Sequence, residues 1–130
     1  MALVLLYNIP PGEKLRRIRV ALTRLGISAR QVAYAEYGHP IGYLAGLEGF
    51  QAAEPYAGED FRAEMLVMSG LSSRQFNGLL DGLRASRAAV ALKAVVNETN
   101  ARWDSRQLYT ALQAEHDTMR ELMEAKGKKK

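Results

Sequence analysis

The chain of 130 residues contains no cysteine, so neither a disulfide framework nor a thiolate metal site is available to it. Histidine is nearly absent too. His39 and His116 lie far apart, and neither has a second imidazole or a carboxylate at ligand spacing. Glu115, directly adjacent to His116, would point elsewhere on a helix. No metal and no cofactor is expected. Phosphate-binding glycine motifs are missing: the stretch Gly38 to Gly49 lacks GxGxxG and is followed by no GK[ST], so its glycines read as flexibility. Ser69 in MSGLS has no GxSxG context and reads as a turn residue rather than a nucleophile. Long hydrophobic runs are also wanting. The opening MALVLLYNIPPG has an apolar run of about six residues and no basic flank, too short for a signal segment or a membrane span. It reads as the first strand of a cytoplasmic protein.

Charge of one sign is lacking in the body of the chain. Lys126, Lys128, Lys129 and Lys130 take four of the 18 basic residues and leave 14 against 14 acidic ones. The formal charge of +4 is therefore a property of the last five residues, which read as a solvated tail. Nucleic-acid binding, which requires several phosphates to be neutralised together, is not expected of it.

What is present is ordinary globular patterning, with 48% hydrophobic and 25% charged residues in one domain's length of chain. Leu3 to Tyr7 is continuously apolar, as in a strand covered on both faces. Pro10-Pro11-Gly12 ends it, and Leu15, Ile18, Leu22 and Leu25 give a helix over 13–25 one buried stripe, stopped at Gly26. A weaker strand follows over 28–34. Residues 38–63 form a long glycine-rich connection in which Pro40 opens a short helix through IGYLAGL. The third strand is 64–69. Ser72 with Gln75 then makes a capping box, Leu71 with Phe76 a staple, and Phe76, Leu79, Leu80 and Leu83 a buried face. The fourth strand is 90–96. Asp104 with Gln107 and Trp103 with Leu108 repeat the same start chemistry for a last helix, whose stripe of Leu108, Leu112, Met119, Leu122 and Met123 runs to about 125.

Strand, helix, strand thus occurs twice, in halves 1–37 and 64–97, with Leu15, Ile18 and Leu22 matching Phe76, Leu79 and Leu83 at constant offset. The expected fold is α/β in the α+β sense: a ferredoxin-like split βαβ pair, with four strands, two helices on one face and a long C-terminal helix. A small parallel α/β sandwich is the alternative. Residues 1–125 form the single domain, with the loop at 38–63, the last helix at 104–125 and the tail at 126–130.

The stretches MLVMSGLSSRQFNGLLDGLR and LKAVVNETNARW resemble a bacterial family of unknown function, the one numbered thirty-seven eighty-three. The likeness covers Glu64 to about Arg120, and LLYNIPPGEK with IGYLAGL resembles longer members more loosely. It implies no activity, because the family has none assigned. Asn97 stands where the family pattern implies Thr.

Candidate functional residues follow from the turn chemistry. Lys93 interrupts an apolar strand on the face of Ala91 and Val95; on an open sheet face it points to water, and in a buried one it needs a partner or a lowered pKa. Asn97, Thr99 and Asn100 follow at the strand's end. Ser72 and Ser73 belong at the same sheet edge, so that two helix starts make an anion-binding corner. Gly78, Gly82 and Ala85 form an outward small stripe that permits close approach of another backbone. Lys14, Arg16, Arg17, Arg19 and Arg24 make the first helix basic, and Glu48, Glu54, Glu59, Asp60 and Glu64 let the loop fold back on it. The expected function is a non-catalytic binding or regulatory module, recognising a small anionic ligand or a protein partner and forming a homodimer through Met119, Leu122 and Met123. An enzyme acting on a small anionic substrate through Lys93 and the Asn97–Asn100 turn is the competing reading, and nucleic-acid binding through the first helix and tail the third. No membrane partner is expected.

Overall fold

Two strands buried along nearly their whole length form the centre of the sheet in this computed structural model, which describes residues 1–128. In chain order the strands are β1 (Leu3–Tyr7), β2 (Ser28–Gln31), β3 (Met65–Ser69) and β4 (Leu92–Val95). The sheet order is β2-β1-β3-β4: β1 is parallel to β2, β3 is parallel to β4, and the two pairs meet antiparallel with Leu5 opposite Val67. Helices α1 (Glu13–Arg24) and α3 (Ser73–Ala85) connect the strands within each pair. The four-stranded α+β sheet with two helices on one face and a long C-terminal helix is as expected.

The strand order corrects the split arrangement. In a split βαβ pair each parallel couple has a strand of the other half between its members, whereas here β1 touches β2 and β3 touches β4 directly. The short return from α1 brings this about. Gly26, at φ +70, takes the left-handed conformation that ends the helix. Ile27 N–H then donates to Leu22 O and Ser28 N–H to Ala2 O, laying β2 against β1 at once.

Each face has its own core. Val4, Leu6, Leu66 and Met68 meet Leu15, Ile18, Leu22, Leu79 and Leu83 of the two helices. The opposite face of Leu5, Tyr7, Val67, Leu92 and Ala94 is covered by Tyr37, by α2 (Ile41–Leu44), by Phe61 and by the first turns of α4 (Ser105–Lys128). Both faces are thus covered over the central strands, while Lys93 and Val95 of the edge strand β4 remain exposed. The long connection does not fold back on α1; it closes the sheet's other side, with Glu59 on Arg106 at 2.7 Å, and only Glu64, at the foot of β3, reaches Lys14. Its glycines also have a packing duty: a Cβ on Gly42 would lie 2.5 Å from the Phe50 ring. The last helix continues past its expected end at Ala125 to Lys128, while Lys129 and Lys130 of the expected tail lie outside the described residues.

Glu36 anchors the entry to this connection. It accepts from Ala33 N–H at 3.0 Å and from Arg30 at 2.8 Å, and these contacts, the backbone bond foremost, hold its carboxyl below the usual value of 4.5. A lowered folded-state pKa contributes stability that is present above about pH 4.5 and is lost as pH falls through the folded value. Glu36→Gln should therefore be less stable than wild type at neutral pH, the gap closing in acid. Denaturant titrations stepped downward from pH 7 check this, and a gap that does not narrow as pH falls below about 4.5 sinks it.

Candidate functional site

Because β3 and β4 are parallel, with Met68 level with Val95, the Ser69–Ser73 and Asn97–Asn100 segments leave the sheet at one edge, as expected. They do not make one corner. Ser72 and Ser73 line a cleft of about 380 Å³ with Gly70 and Asn77, while Lys93, Asn97, Thr99 and Asn100 line another of about 320 Å³ with Trp103 and Glu115. Val95 stands between them and lines both.

Most of the polar atoms nominated for a ligand are already engaged. Ser72 Oγ accepts from Gln75 N–H at 3.1 Å, and Gln75 Oε1 accepts from Ser72 N–H at 2.9 Å: the capping box is formed. Asn100, only 7% exposed, accepts from Asn97 N–H at 2.9 Å and donates to Val95 O at 3.0 Å, and Asn97 Oδ1 accepts from Asn100 N–H at 2.8 Å. Lys93 pairs with Leu66 and so lies on the helix-covered side of the sheet, where its ammonium donates to Val90 O near Leu80 and Leu83. Burial lowers its pKa. The charge thus sits across the strand from Asn100 and Leu108, which belong to the other face.

A second surface is the groove between α1 and α3, of about 490 Å³. The stripe of Gly78, Gly82 and Ala85 does not face outward alone; it faces α1. A Cβ on Gly78 would lie 2.8 Å from Leu25 Cδ2, so glycine there lets the helices close up, and Gln75 Nε2 ties the same end by donating to Leu25 O. Gly82 differs. Its nearest neighbour would be Ala21 Cβ at 3.6 Å, an ordinary contact, so intrachain packing leaves the roughly 1 kcal/mol helix cost of glycine unexplained. Arg16, Arg17 and Arg24 rim the groove, and no carboxylate lines it.

The third surface is the far half of α4. Asp104 caps this helix, accepting from Gln107 N–H at 2.8 Å while Gln107 Oε1 accepts from Asp104 N–H at 2.9 Å. Leu108, Tyr109 and Leu112 pack on the domain. Beyond Glu115 no described residue covers the stripe, and Met119, Leu122 and Met123 are 60%, 53% and 66% exposed.

Sequence reasoning missed Asn8. Its φ of 61 is left-handed, a conformation Asn adopts more readily than most residues, and its Nδ2 donates to Phe61 O at 2.8 Å and Ala63 O at 3.1 Å. It pins the end of the long connection to the end of β1, beside a polar cleft of about 510 Å³ bordered by Gln31, Tyr34, Tyr37 and Asp60. Asn just ahead of the Pro-Pro-Gly turn was the available signal.

One comparison bears on part of these surfaces. Residues 64–119 match the family model of a domain of unknown function, DUF3783. The resemblance read from the sequence holds over that span. The matched segment carries β3, α3, β4 and the turn of Asn97 to Asn100, together with α4 as far as Met119; β1, α1 and β2 lie outside it. No curated protein matches the chain. Among the described residues no helix is long and apolar enough to cross a membrane, and no group of three or more His, Asp and Glu side chains is placed to hold a metal ion.

Proposed function

We propose that the chain is a cytoplasmic, non-catalytic protein-binding module that pairs with a second copy of itself through α4. The observation that supports this is the exposed stripe of Met119, Leu122 and Met123 on a helix that has left its own domain. With 24 residues, α4 is about 36 Å long, and the domain uses only its first turns. Three large apolar side chains on one exposed helix face mark an association surface rather than scattered surface hydrophobics. Burying each fully contributes about 1.5–3 kcal/mol, and an antiparallel pair buries each of them twice.

Sedimentation velocity tests it. Wild type should sediment as a dimer at micromolar concentration, and Met119→Glu with Leu122→Glu as a monomer whose circular-dichroism unfolding midpoint matches that of wild type diluted until it is monomeric. A wild-type monomer throughout that range, or a dimer in the double variant, sinks the reading.

A further inference from the structure

We propose that the groove between α1 and α3 seats an acidic amphipathic helix of a partner protein. This goes beyond the pairing through α4 and does not depend on it, because the groove lies between the helices on the other side of the sheet from the α4 docking face.

Three observations converge on that occupant. First, the floor is apolar and unfilled: Val20 is 38% exposed although it sits beside Ala21 and Gly82 between two packed helices. A trough bounded by parallel ridges of side chains accepts a third helix, whose anchors recur every three or four residues. Second, the rim has one sign of charge. Glu13 is shared between Arg16 and Arg17, and Arg17 also donates to Ser86 O at 2.9 Å, while Arg24 has no ion pair among the described residues. Lined by three guanidiniums and no carboxylate, the groove attracts acidic flanks and repels basic ones. Third, Gly82 is smaller than its own surroundings require, since an alanine Cβ would meet only Ala21 at 3.6 Å. A glycine that intrachain packing does not demand leaves room for another backbone to come close. The stripe on α4 of a second copy, where Arg120 is paired with Asp117 and Glu115 and Glu121 flank it, is the competing occupant; if it held the groove, the Met119/Leu122 double variant would bind peptide more tightly than wild type. Nucleic acid suits the arginines but gains nothing from the apolar floor.

The test is fluorescence anisotropy on the full chain with labelled acidic amphipathic peptides, each carrying Glu beside a Leu/Ala stripe at helical spacing, and with the same residues in scrambled order. The patterned peptides should bind, and scrambling should weaken them at least about tenfold, the equivalent of one hydrogen-bonded or charged anchor lost. Arg24→Glu and Gly82→Leu should each do the same by changing only the protein. Gly82→Ala separates binding from folding: it should raise the unfolding midpoint by about 3–5 °C, as a helix-favouring change that meets only ordinary contact, yet weaken the peptide. The double Glu variant at Met119 and Leu122 should bind the peptide as wild type does, so failure of α4 pairing and failure of the groove are told apart. The proposal is overturned if no patterned peptide binds, if scrambled peptide binds equally, if Arg24→Glu or Gly82→Leu leaves affinity unchanged, or if duplex DNA displaces the peptide from the groove.

Discussion

Tyr37→Ala should cost the fold about 3–5 kcal/mol, the range for removing a fully buried aromatic side chain. Tyr37 is 1% exposed and lies at the middle of the aromatic cluster on the loop-covered face: its ring stacks on Phe61 at 4.8 Å and meets Tyr34 at 5.6 Å, Tyr56 at 5.8 Å and Tyr7 at 5.9 Å. Such pairs contribute beyond the area they bury. Its backbone carbonyl also accepts from Ser105 N–H at 3.0 Å, so the residue ties the long connection to the start of α4. Deleting the ring should loosen that connection as well as lower stability, seen as early proteolysis within residues 45–60. Tyr37→Phe is the control. It removes a hydroxyl that burial keeps protonated and whose only bond, to Asn8 Oδ1, is long at 3.3 Å, so it should cost about 1 kcal/mol or less. Urea unfolding of the three proteins decides the matter. A loss under about 1 kcal/mol for Tyr37→Ala would show the cluster to be decoration rather than core.

The importance of Tyr37 was hidden from sequence reasoning for a physical reason. Glycine and proline spacing made residues 38–63 look like a flexible linker, yet six of the ten aromatic residues lie between Tyr34 and Phe61. Glycine has two uses, conformational freedom and close approach, and composition alone does not separate them. The aromatic density was the sign that the segment covers a face. Helices and caps were legible because their rules are local: Ser72 with Gln75 and Asp104 with Gln107 form the boxes their spacing implies. The strand order was not. A split and an unsplit βαβ pair both put β1 and β3 at the centre and β2 and β4 at the edges, so burial patterns are the same in each. Only the long-range pairing of β1 with β2, set by the tight return through Gly26, distinguishes them.

The candidate site was legible to the same degree. That the turns after β3 and β4 share an edge follows from one βαβ unit; which face each side chain takes depends on a strand phase. Lys93 and Val95 alternate with Leu92 and Ala94, and once Leu92 and Ala94 belong to the loop-covered core, Lys93 takes the α3 side of the sheet, where it stays exposed at the edge. The Gly78/Gly82/Ala85 stripe was expected to face outward, opposite the buried face of α3, whereas the neighbour it admits is first of all α1 of the same chain.

Asn97 and Asn100 looked alike as ligand candidates, and their geometry predicts opposite sensitivities. Asn100→Ala should cost about 2–3 kcal/mol, because it strips partners from Asn97 N–H and Val95 O around a buried side chain. Asn97 is exposed, and its side chain only accepts from Asn100 N–H, so Asn97→Ala should cost about 0.5–1.5 kcal/mol. The single tryptophan reports on both, since Trp103 N–H donates to Asn100 O at 3.1 Å and its ring packs beside the turn. Denaturant titration followed by Trp103 fluorescence should show the larger fall in midpoint for Asn100→Ala, and a red-shifted native spectrum for that variant alone. Equal losses for the two variants would mean that the turn is held by both amides alike. A stable Asn100→Ala protein with a native spectrum would mean that it is not held by this side chain at all, and Asn100 would return as a residue kept for something other than the turn.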